Sequence, residues 1–82
     1  MGTDRIRIRF LRLKEVTART GLSRSTIYNK LDCKSQYFDP AFPEQIRLGG
    51  GAVAWVEGEL ENWMNEKIQK SRIQTHKLKE VT

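Results

Sequence analysis

A cation, a hydroxyl, a phenol and an amide stand close together in one short stretch of this chain, at Arg24, Ser25, Tyr28 and Asn29. Groups of this kind recognise base edges in the major groove of DNA, where arginine pairs with guanine, asparagine pairs with adenine and serine is more permissive. The sequence offers no combination of Ser, His and Asp or of Cys and His, and no cluster with metal-ligand spacing. We therefore predict binding to nucleic acid, without catalysis, metal or cofactor.

Two short helices joined by a tight turn are expected to hold these groups, within LKEVTARTGLSRSTIYNKL at 13–31. Gly21 can adopt the left-handed conformation that ends a helix, and Ser23 is a good N-cap for the next one. Ile27 and Leu31 share one face of the second helix, which should pack on the first. The opposite face carries the polar groups, as in a helix-turn-helix. The alternative is a helical hairpin whose polar face is only solvated.

A second set of residues is better suited to phosphates, which position a protein on DNA but carry no sequence information. The set combines hydroxyls and cations beside the second helix with cations of an N-terminal arm and groups of a predicted hairpin. We expect contacts with the DNA backbone from Ser23, Thr26, Lys30, Lys34, Arg9, Arg12, Arg47 and Gly50.

The net charge of +5 is unevenly distributed along the chain. Residues 1–34 carry nine Lys or Arg and three acids, a net of +6. Residues 35–66 carry one Arg and six acids, a net of −5, and residues 67–82 carry five Lys or Arg and one acid, a net of +4. A basic region confined to part of a small domain indicates a polyanionic partner.

The N-terminal stretch RIRIRF at 5–10 alternates arginine with apolar residues, which is the periodicity of a strand. The alternative is an extended arm that only Phe10 and Leu11 anchor on the core. We favour a short extended segment near Ile8–Leu11, whose arginines could contact phosphates or enter the minor groove.

Two apolar alternations around three glycines predict a β-hairpin, the wing (46–55). Ile46 and Leu48 precede the glycines and Val53 and Trp55 follow them, so we expect these four side chains to share one apolar face. Because an isolated hairpin is only marginally stable, the wing must pack on the helices, with Trp55 as its anchor.

The connection before the wing, CKSQYFDPAFPE at 33–44, contains two prolines that make a continuous helix unfavourable. We expect Phe42 to insert beneath the following strand, whereas Tyr37 and Phe38 could be core or exposed. After the wing, an apolar stripe at helical spacing predicts a helix from about Glu57 to about Gln69. The stripe consists of Val56, Leu60, Trp63, Met64 and Ile68.

Length and composition restrict the class of protein. A chain of 82 residues predicts one domain with a small core. No apolar run approaches the length of a membrane span, and the N-terminus lacks the pattern of a secretory signal. Cys33 is the only cysteine, which excludes an internal disulfide and fits a reducing cytoplasm.

Three segments then indicate a known family: FLRLKEVTARTGLSRSTIY, FPEQIRL and AVAWVEGELENWM, which together cover about residues 10–68. They resemble the AlpA-like phage and prophage regulators, which belong with the excisionases and the DNA-binding domains of MerR-type regulators. The resemblance implies a DNA-binding transcriptional regulator, often encoded on a mobile element, that can act directly or indirectly on prophage excision. It also implies that the protein works in the bacterial cytoplasm, at the nucleoid.

Carried onto this chain, the resemblance implies a recognition helix from Ser23 to Leu31 and a wing from Ile46 to Trp55. The sequence departs from the family pattern at two places. The connection before Phe42 is longer than usual, and the wing turn at 49–52 lacks the basic residue that family members often carry. Arg47 is therefore the only cation of the wing, a deficit that the basic arm and tail could offset.

The expected fold is α+β: a small winged helix-turn-helix with three helices and a two-stranded β-hairpin wing. Residues 1–9 form a basic arm, residues 10–69 the DNA-binding domain, and residues 70–82 a basic tail expected to be mobile. The expected partners are double-stranded DNA, a second copy of the chain as a dimer or on an adjacent site, and an integrase or RNA polymerase. No membrane partner is expected.

Three functions remain open from the sequence. The first is a sequence-specific regulator that represses or activates a nearby promoter. The second is an excisionase that bends attachment-site DNA, binds several adjacent sites and requires an integrase. The third is a protein-interaction adapter that docks a partner on Tyr37, Phe38 and the acidic helix 57–66. Steep salt dependence would distinguish binding to DNA from the adapter function.

Overall fold

The computed structural model describes the backbone of residues 7–81 and the side chains of residues 7–73. The arginine of the arm at position 5 and the end of the basic tail therefore lie outside the described residues. The elements follow in the order β1 (Phe10–Leu11), α1 (Leu13–Thr20), α2 (Arg24–Leu31), β2 (Ile46–Gly49), β3 (Ala52–Val56) and α3 (Glu57–Val81). This arrangement confirms the predicted α+β winged helix-turn-helix.

The turn between α1 and α2 forms as the sequence predicts. Gly21 adopts the left-handed conformation at φ 75°, and its N–H donates to the Thr17 carbonyl at 2.8 Å. The Ser23 hydroxyl caps α2 by accepting from the Thr26 N–H at 3.1 Å. Val16 of α1 and Ile27 of α2 are both fully buried, so the two helices pack through the expected faces.

Replacing Gly21 by alanine is expected to destabilise the domain by about 1 kcal/mol, because a residue with a Cβ atom is strained in the left-handed region. An added Cβ at Gly21 would meet no heavy atom within 4 Å, so the cost is conformational and not steric. Gly58→Ala is the matched control. Gly58 lies in α3, and its added Cβ would also meet nothing within 4 Å. This control should stabilise the domain in urea denaturation, and equal effects of the two variants would contradict the prediction.

The sheet has three strands in the order β1-β3-β2, all antiparallel, so β1 adds a strand to the predicted hairpin. Leu11 pairs with Trp55 and is buried, whereas Phe10 is 45% exposed. Of the two strand residues Phe10 and Leu11, Leu11 alone is buried in the core. A further hydrogen bond joins the residue before β1 to the start of α3, since the Glu57 N–H donates to the Arg9 carbonyl at 2.8 Å.

The shared apolar face predicted for the wing is wrong. The register places Ile46 opposite Ala54 and Arg47 opposite Val53, and it shifts between Arg47 and Gly49. Directly opposite residues of an antiparallel pair share a face, so Ile46 and Val53 lie on different faces. Leu48 falls within this irregularity and is 44% exposed.

The core gathers side chains from every element except β2. Trp55 and Leu60 are fully buried, and Phe42 meets Trp63 edge to face with ring centroids 4.9 Å apart. Phe42 therefore inserts into the core as predicted. The full set of buried apolar residues in this cluster is Leu11, Val16, Ile27, Phe42, Trp55, Leu60 and Trp63.

Helix α3 is longer than the sequence predicts. It runs from Glu57 to Val81 and spans 25 residues, so the predicted end near Gln69 is wrong. Neither Gly nor Pro occurs after Gly58 in this helix, and most residues of its second half are good helix formers. The apolar stripe of α3 becomes more exposed toward the C-terminus, since Met64 is partly buried and Ile68 is 44% exposed. The mobility expected of residues 70–82 stays a prediction.

Candidate nucleic-acid interface

The polar face of α2 is presented to solvent. Arg24, Ser25, Tyr28 and Asn29 are all exposed on this helix, while Ile27 is turned into the core. The Arg24 guanidinium lies 6.0 Å from the centre of the Tyr28 ring, a distance at which a cation is attracted by an aromatic face. The structure thus places the four predicted base-reading residues together on one helix. Their role in reading bases stays a prediction.

The two hydroxyls at the start of α2 bond to each other. Ser23 Oγ and Thr26 Oγ1 are 2.9 Å apart, in addition to the cap between Ser23 and the Thr26 amide. These bonds fix both side chains at the N-terminal end of α2. Ser23 and Thr26 were both predicted to contact the DNA backbone, and this role stays a prediction.

Lys30, a predicted phosphate contact, is directed toward α3. Its Nζ atom lies 5.5 Å from the centre of the Trp63 ring, and Lys67 Nζ lies 5.6 Å from the same centre. The side chain of Lys30 is therefore half-buried between α2 and α3 and is not a purely solvent-facing cation. Lys34 and Arg12 are both exposed, as phosphate contacts would need to be.

Asp39 joins the connection to both α2 and α3. Its Oδ2 atom accepts from the Trp63 indole N–H at 3.0 Å and lies 3.4 Å from Lys67 Nζ, while Oδ1 accepts from the Ala41 N–H at 2.9 Å. The Asp39 N–H donates to the Lys30 carbonyl at 3.0 Å. Burial alone would raise the pKa of Asp39, but the bonds from Trp63 and Ala41, together with Lys67, hold it below its ordinary value.

Replacing Asp39 by asparagine is expected to cost about 1–2 kcal/mol of unfolding free energy at neutral pH, because charge-assisted hydrogen bonds are lost. The pKa of Asp39 is lower in the folded chain than in the unfolded chain. The stabilisation is therefore fully present above the unfolded pKa of about 3.9 and is lost as the pH falls through the folded pKa. Urea denaturation should show the difference between wild type and variant narrowing from about pH 4 downward.

Glu66→Gln is the control for Asp39→Asn, because Glu66 is an exposed carboxylate on the same helix as Trp63. This variant should unfold with nearly wild-type free energy at neutral pH. A constant difference between Asp39→Asn and wild type at every pH would show that the carboxylate charge is not the stabilising group.

Arg9, a predicted phosphate contact of the arm, lies among carboxylates. Its guanidinium is 3.7 Å from Glu15 and 3.7 Å from Glu57. Arg19 binds the same Glu57 carboxylate and reaches Glu61 at 3.6 Å, and the hydrogen bond to Glu57 raises the pKa of Arg19. These contacts draw Arg9 toward α1 and the start of α3, although its side chain remains 62% exposed.

The wing turn has an exposed, left-handed backbone. Gly49, Gly50 and Gly51 have φ values of 105°, 59° and 83°, conformations that residues with a Cβ atom rarely adopt. These glycines, together with Arg47 and Val53, line an open cavity with a volume of about 380 Å³. Gly50 and Arg47 are exposed there, so both could be reached by a phosphate.

Tyr37, which the sequence places only in the adapter hypothesis, lies beside the polar face of α2. Tyr37 lines an open concave surface, which encloses a volume of about 260 Å³, together with Thr26, Asn29 and Lys30. The Tyr37 residue is 62% exposed. Its neighbour Phe38 is 41% exposed, so Tyr37 and Phe38 prove to be exposed, whereas Phe42 of the same connection is buried. The number of aromatic residues in the connection indicated that some of them have a role. The sequence could not predict that Tyr37 lies beside α2, because this contact arises from tertiary structure.

Neither a metal-ligand group nor a helix suited to span a membrane occurs in the part of the chain that the structure describes, residues 7–81 for the backbone and 7–73 for the side chains. In that part of the chain, no group of three or more His, Cys, Asp or Glu side chains is placed to hold a metal ion. None of the helices described there is both long and apolar enough to cross a lipid bilayer.

Comparison with known proteins matches the chain to a family. The model of the family described as prophage CP4-57 regulatory protein (AlpA) matches residues 9–68. The chain belongs to the AlpA family of prophage regulatory proteins. It is 39% identical over 66 residues to the DNA-binding transcriptional activator AlpA of Escherichia coli (strain K12), which covers 80% of this chain and 94% of the relative.

A second relative of the AlpA-family chain comes from a phage. The chain is 48% identical over 60 residues to the uncharacterized protein ORF88 of Enterobacteria phage P4, which covers 73% of this chain and 61% of that protein. No solved structure matches the chain. The AlpA-family match includes β1, both helices of the helix-turn-helix, the wing and the first half of α3. The sequence resemblance to AlpA-like regulators is therefore confirmed.

Proposed function

We propose that this chain binds double-stranded DNA sequence-specifically and regulates transcription of a prophage or related mobile element. The main support for this proposal is the polar face of α2, which the helix-turn-helix presents to solvent. The chain also belongs to the AlpA family. The relative from Escherichia coli is named as a DNA-binding transcriptional activator. We propose regulation of transcription, and not enzymatic activity, for the same reason.

The geometry supports insertion of α2 into the major groove. An α-helix fits this groove, and residues on its outward face then meet base edges while its flanks meet the groove walls. Asn29 and Ser25 lie on the outward face, and Arg24 lies on a flank beside Tyr28. The wing, with Arg47 and the glycine turn, is then proposed to contact the backbone.

The charge distribution supports the same orientation. Residues 1–34, which include α1 and α2, carry the net of +6, whereas residues 35–66 carry the net of −5. An open cavity with a volume of about 430 Å³ lies between the connection and α3, and its lining includes Glu44, Glu59 and Glu66. An acidic surface repels phosphates, so we propose that DNA meets the helix-turn-helix side of the domain.

Selection of bound duplexes from a random DNA pool tests the proposed function. The wild-type chain should enrich one short motif, and its affinity should fall steeply as salt rises, because bound Lys and Arg release counterions from DNA. One α2 helix reads only a few base pairs, so two half-sites about one helical turn apart would indicate a second copy. Failure to enrich any motif, with no affinity for DNA at low salt, would contradict the proposal.

A further inference from the structure

The segment that follows α2 is an ordered loop, the 32–39 loop. It consists of two successive turns, in which the Ser35 N–H donates to the Asp32 carbonyl at 2.9 Å and the Phe38 N–H donates to the Ser35 carbonyl at 3.1 Å. The Asp39 N–H then donates to the Lys30 carbonyl. The loop thus starts and ends at the last turn of α2, so its tip is held at a fixed position relative to that helix.

Side chains brace the same loop from within. Asp32 Oδ1 accepts from the Lys34 N–H at 2.9 Å, and Ser35 Oγ accepts from the Tyr37 N–H at 3.0 Å. The Asp39 carboxylate, bound to Trp63 and Lys67, holds the far end against α3. The backbone of Tyr37 is therefore positioned by these bonds, although its side chain is 62% exposed.

Tyr37 lies against one particular flank of α2. It shares its concave surface with Thr26 and Lys30, which are four residues apart and therefore lie on the same side of the helix. Arg24 and Tyr28 are also four residues apart and occupy the other flank. When the face with Asn29 points at base edges, these two flanks face the two walls of the groove, which are lined by phosphates.

We propose that Tyr37 is a further DNA contact, whose phenol hydroxyl donates a hydrogen bond to a backbone phosphate on the groove wall beside Thr26 and Lys30. This inference rests on the proposed function and adds the 32–39 loop to α2 and the wing as a third element that contacts DNA. The neighbourhood suits an anion, since the Lys30 cation and the Asn29 amide line the same concave surface as Tyr37, and the loop itself carries the exposed Lys34. A phosphate contact positions the protein and carries no sequence information.

The uncharged hydroxyl gives this contact a distinct signature. A lysine that binds a phosphate releases a counterion, so its loss reduces the slope of log affinity against log salt. A phenol releases none. Tyr37→Phe should therefore weaken binding to the selected site and to a scrambled duplex alike, by about tenfold, since hydrogen bonds to charged groups have this strength. The salt slope should stay at its wild-type value.

Phosphate ethylation interference locates the contact directly. On the selected site, ethylation of one or two phosphates on a single groove wall should impair binding of the wild type and have no further effect on Tyr37→Phe. Because the phenylalanine ring preserves the shape of the side chain, the thermal unfolding midpoint should be unchanged. Phe38→Leu is the matched control, since it alters the adjacent exposed aromatic residue of the same loop.

Three outcomes would overturn the inference. Tyr37→Phe could bind both duplexes with wild-type affinity, it could retain the complete wild-type ethylation pattern, or Phe38→Leu could produce the same loss. In each case Asn29→Ala would still lose preference for the selected site, so the proposed function would stand. If the wild-type chain bound no DNA at low salt, the inference would fail together with the proposed function.

Discussion

Replacing Asn29 by alanine is expected to lower affinity for the selected DNA site by about tenfold to a hundredfold, ~1–3 kcal/mol, if its amide pairs with a base edge. Affinity for scrambled DNA should change far less, because no base-specific contact exists there to be lost. Asn29 is exposed in α2, and alanine is a better helix former, so the fold should persist. Mobility shifts with the two duplexes over a range of salt concentrations measure both effects.

Lys34→Ala is the control for Asn29→Ala. It should weaken binding to both duplexes by the same factor and reduce the salt slope by about one unit, as expected when one phosphate contact is removed. Lys34 is a better choice than Lys30, because Lys30 also contacts the Trp63 ring and its loss would disturb α3. Equal weakening of both duplexes by Asn29→Ala would refute the base-reading role of Asn29.

Replacing Trp55 by alanine is expected to cost about 3–5 kcal/mol of unfolding free energy, because it empties a large volume in a small core. Trp55 is fully buried at the centre of the sheet, between β1 and β2. For a domain of this size the thermal midpoint should fall by roughly 15–30 °C. Thermal unfolding followed by circular dichroism measures the shift, and DNA binding should be lost wherever the variant is unfolded.

Two further substitutions bracket the effect of Trp55→Ala. Trp55→Phe should cost much less, because phenylalanine keeps most of the ring volume. No acceptor for the buried Trp55 indole N–H is found in the described part of the chain, so phenylalanine would lose no hydrogen bond. Ile73→Ala removes an apolar side chain that is 60% exposed and should change the unfolding free energy by about 0.5 kcal/mol or less. A Trp55→Ala variant as stable as Ile73→Ala would disprove the central role of Trp55.

The local signals in this sequence predict the helix-turn-helix well. Gly21 ends α1 in the left-handed conformation because glycine has no Cβ atom to strain it, and Ser23 caps α2 because its hydroxyl can accept from a free amide of the first turn. Phe42 and Trp55 are buried as expected, since large apolar side chains next to a predicted sheet have few alternatives in so small a core. These elements depend on neighbours in sequence or on burial alone.

The register of the wing could not be predicted for a physical reason. An alternation of apolar residues fixes a face only when both strands remain regular. Here the pairing shifts between Arg47 and Gly49, and each such shift moves the following side chains to the other face. The resulting exposure of Leu48 follows from the irregular pairing and not from the composition of either strand.

The surroundings of individual cations were equally unpredictable. Lys30 approaches Trp63, which is 33 positions away, where Asp39 of the connection bonds both to the Lys30 carbonyl and to the Trp63 indole. Arg9 meets Glu57 because β1 pairs with β3 and brings the arm to the start of α3. Such contacts arise from tertiary structure, so a residue type that suits phosphate is not enough to place it at the DNA interface.

The pairing of β1 with β3 has a consequence for how much this domain can vary. Leu11 and Trp55 are partners 44 positions apart, so the helix-turn-helix and the connection lie inside one long closed loop. The entropy of closing a loop grows only with the logarithm of its length. Four residues added to the connection would therefore cost on the order of 0.1 kcal/mol in chain entropy. The domain can thus acquire a longer connection, and with it a residue such as Tyr37 beside α2, almost without loss of stability.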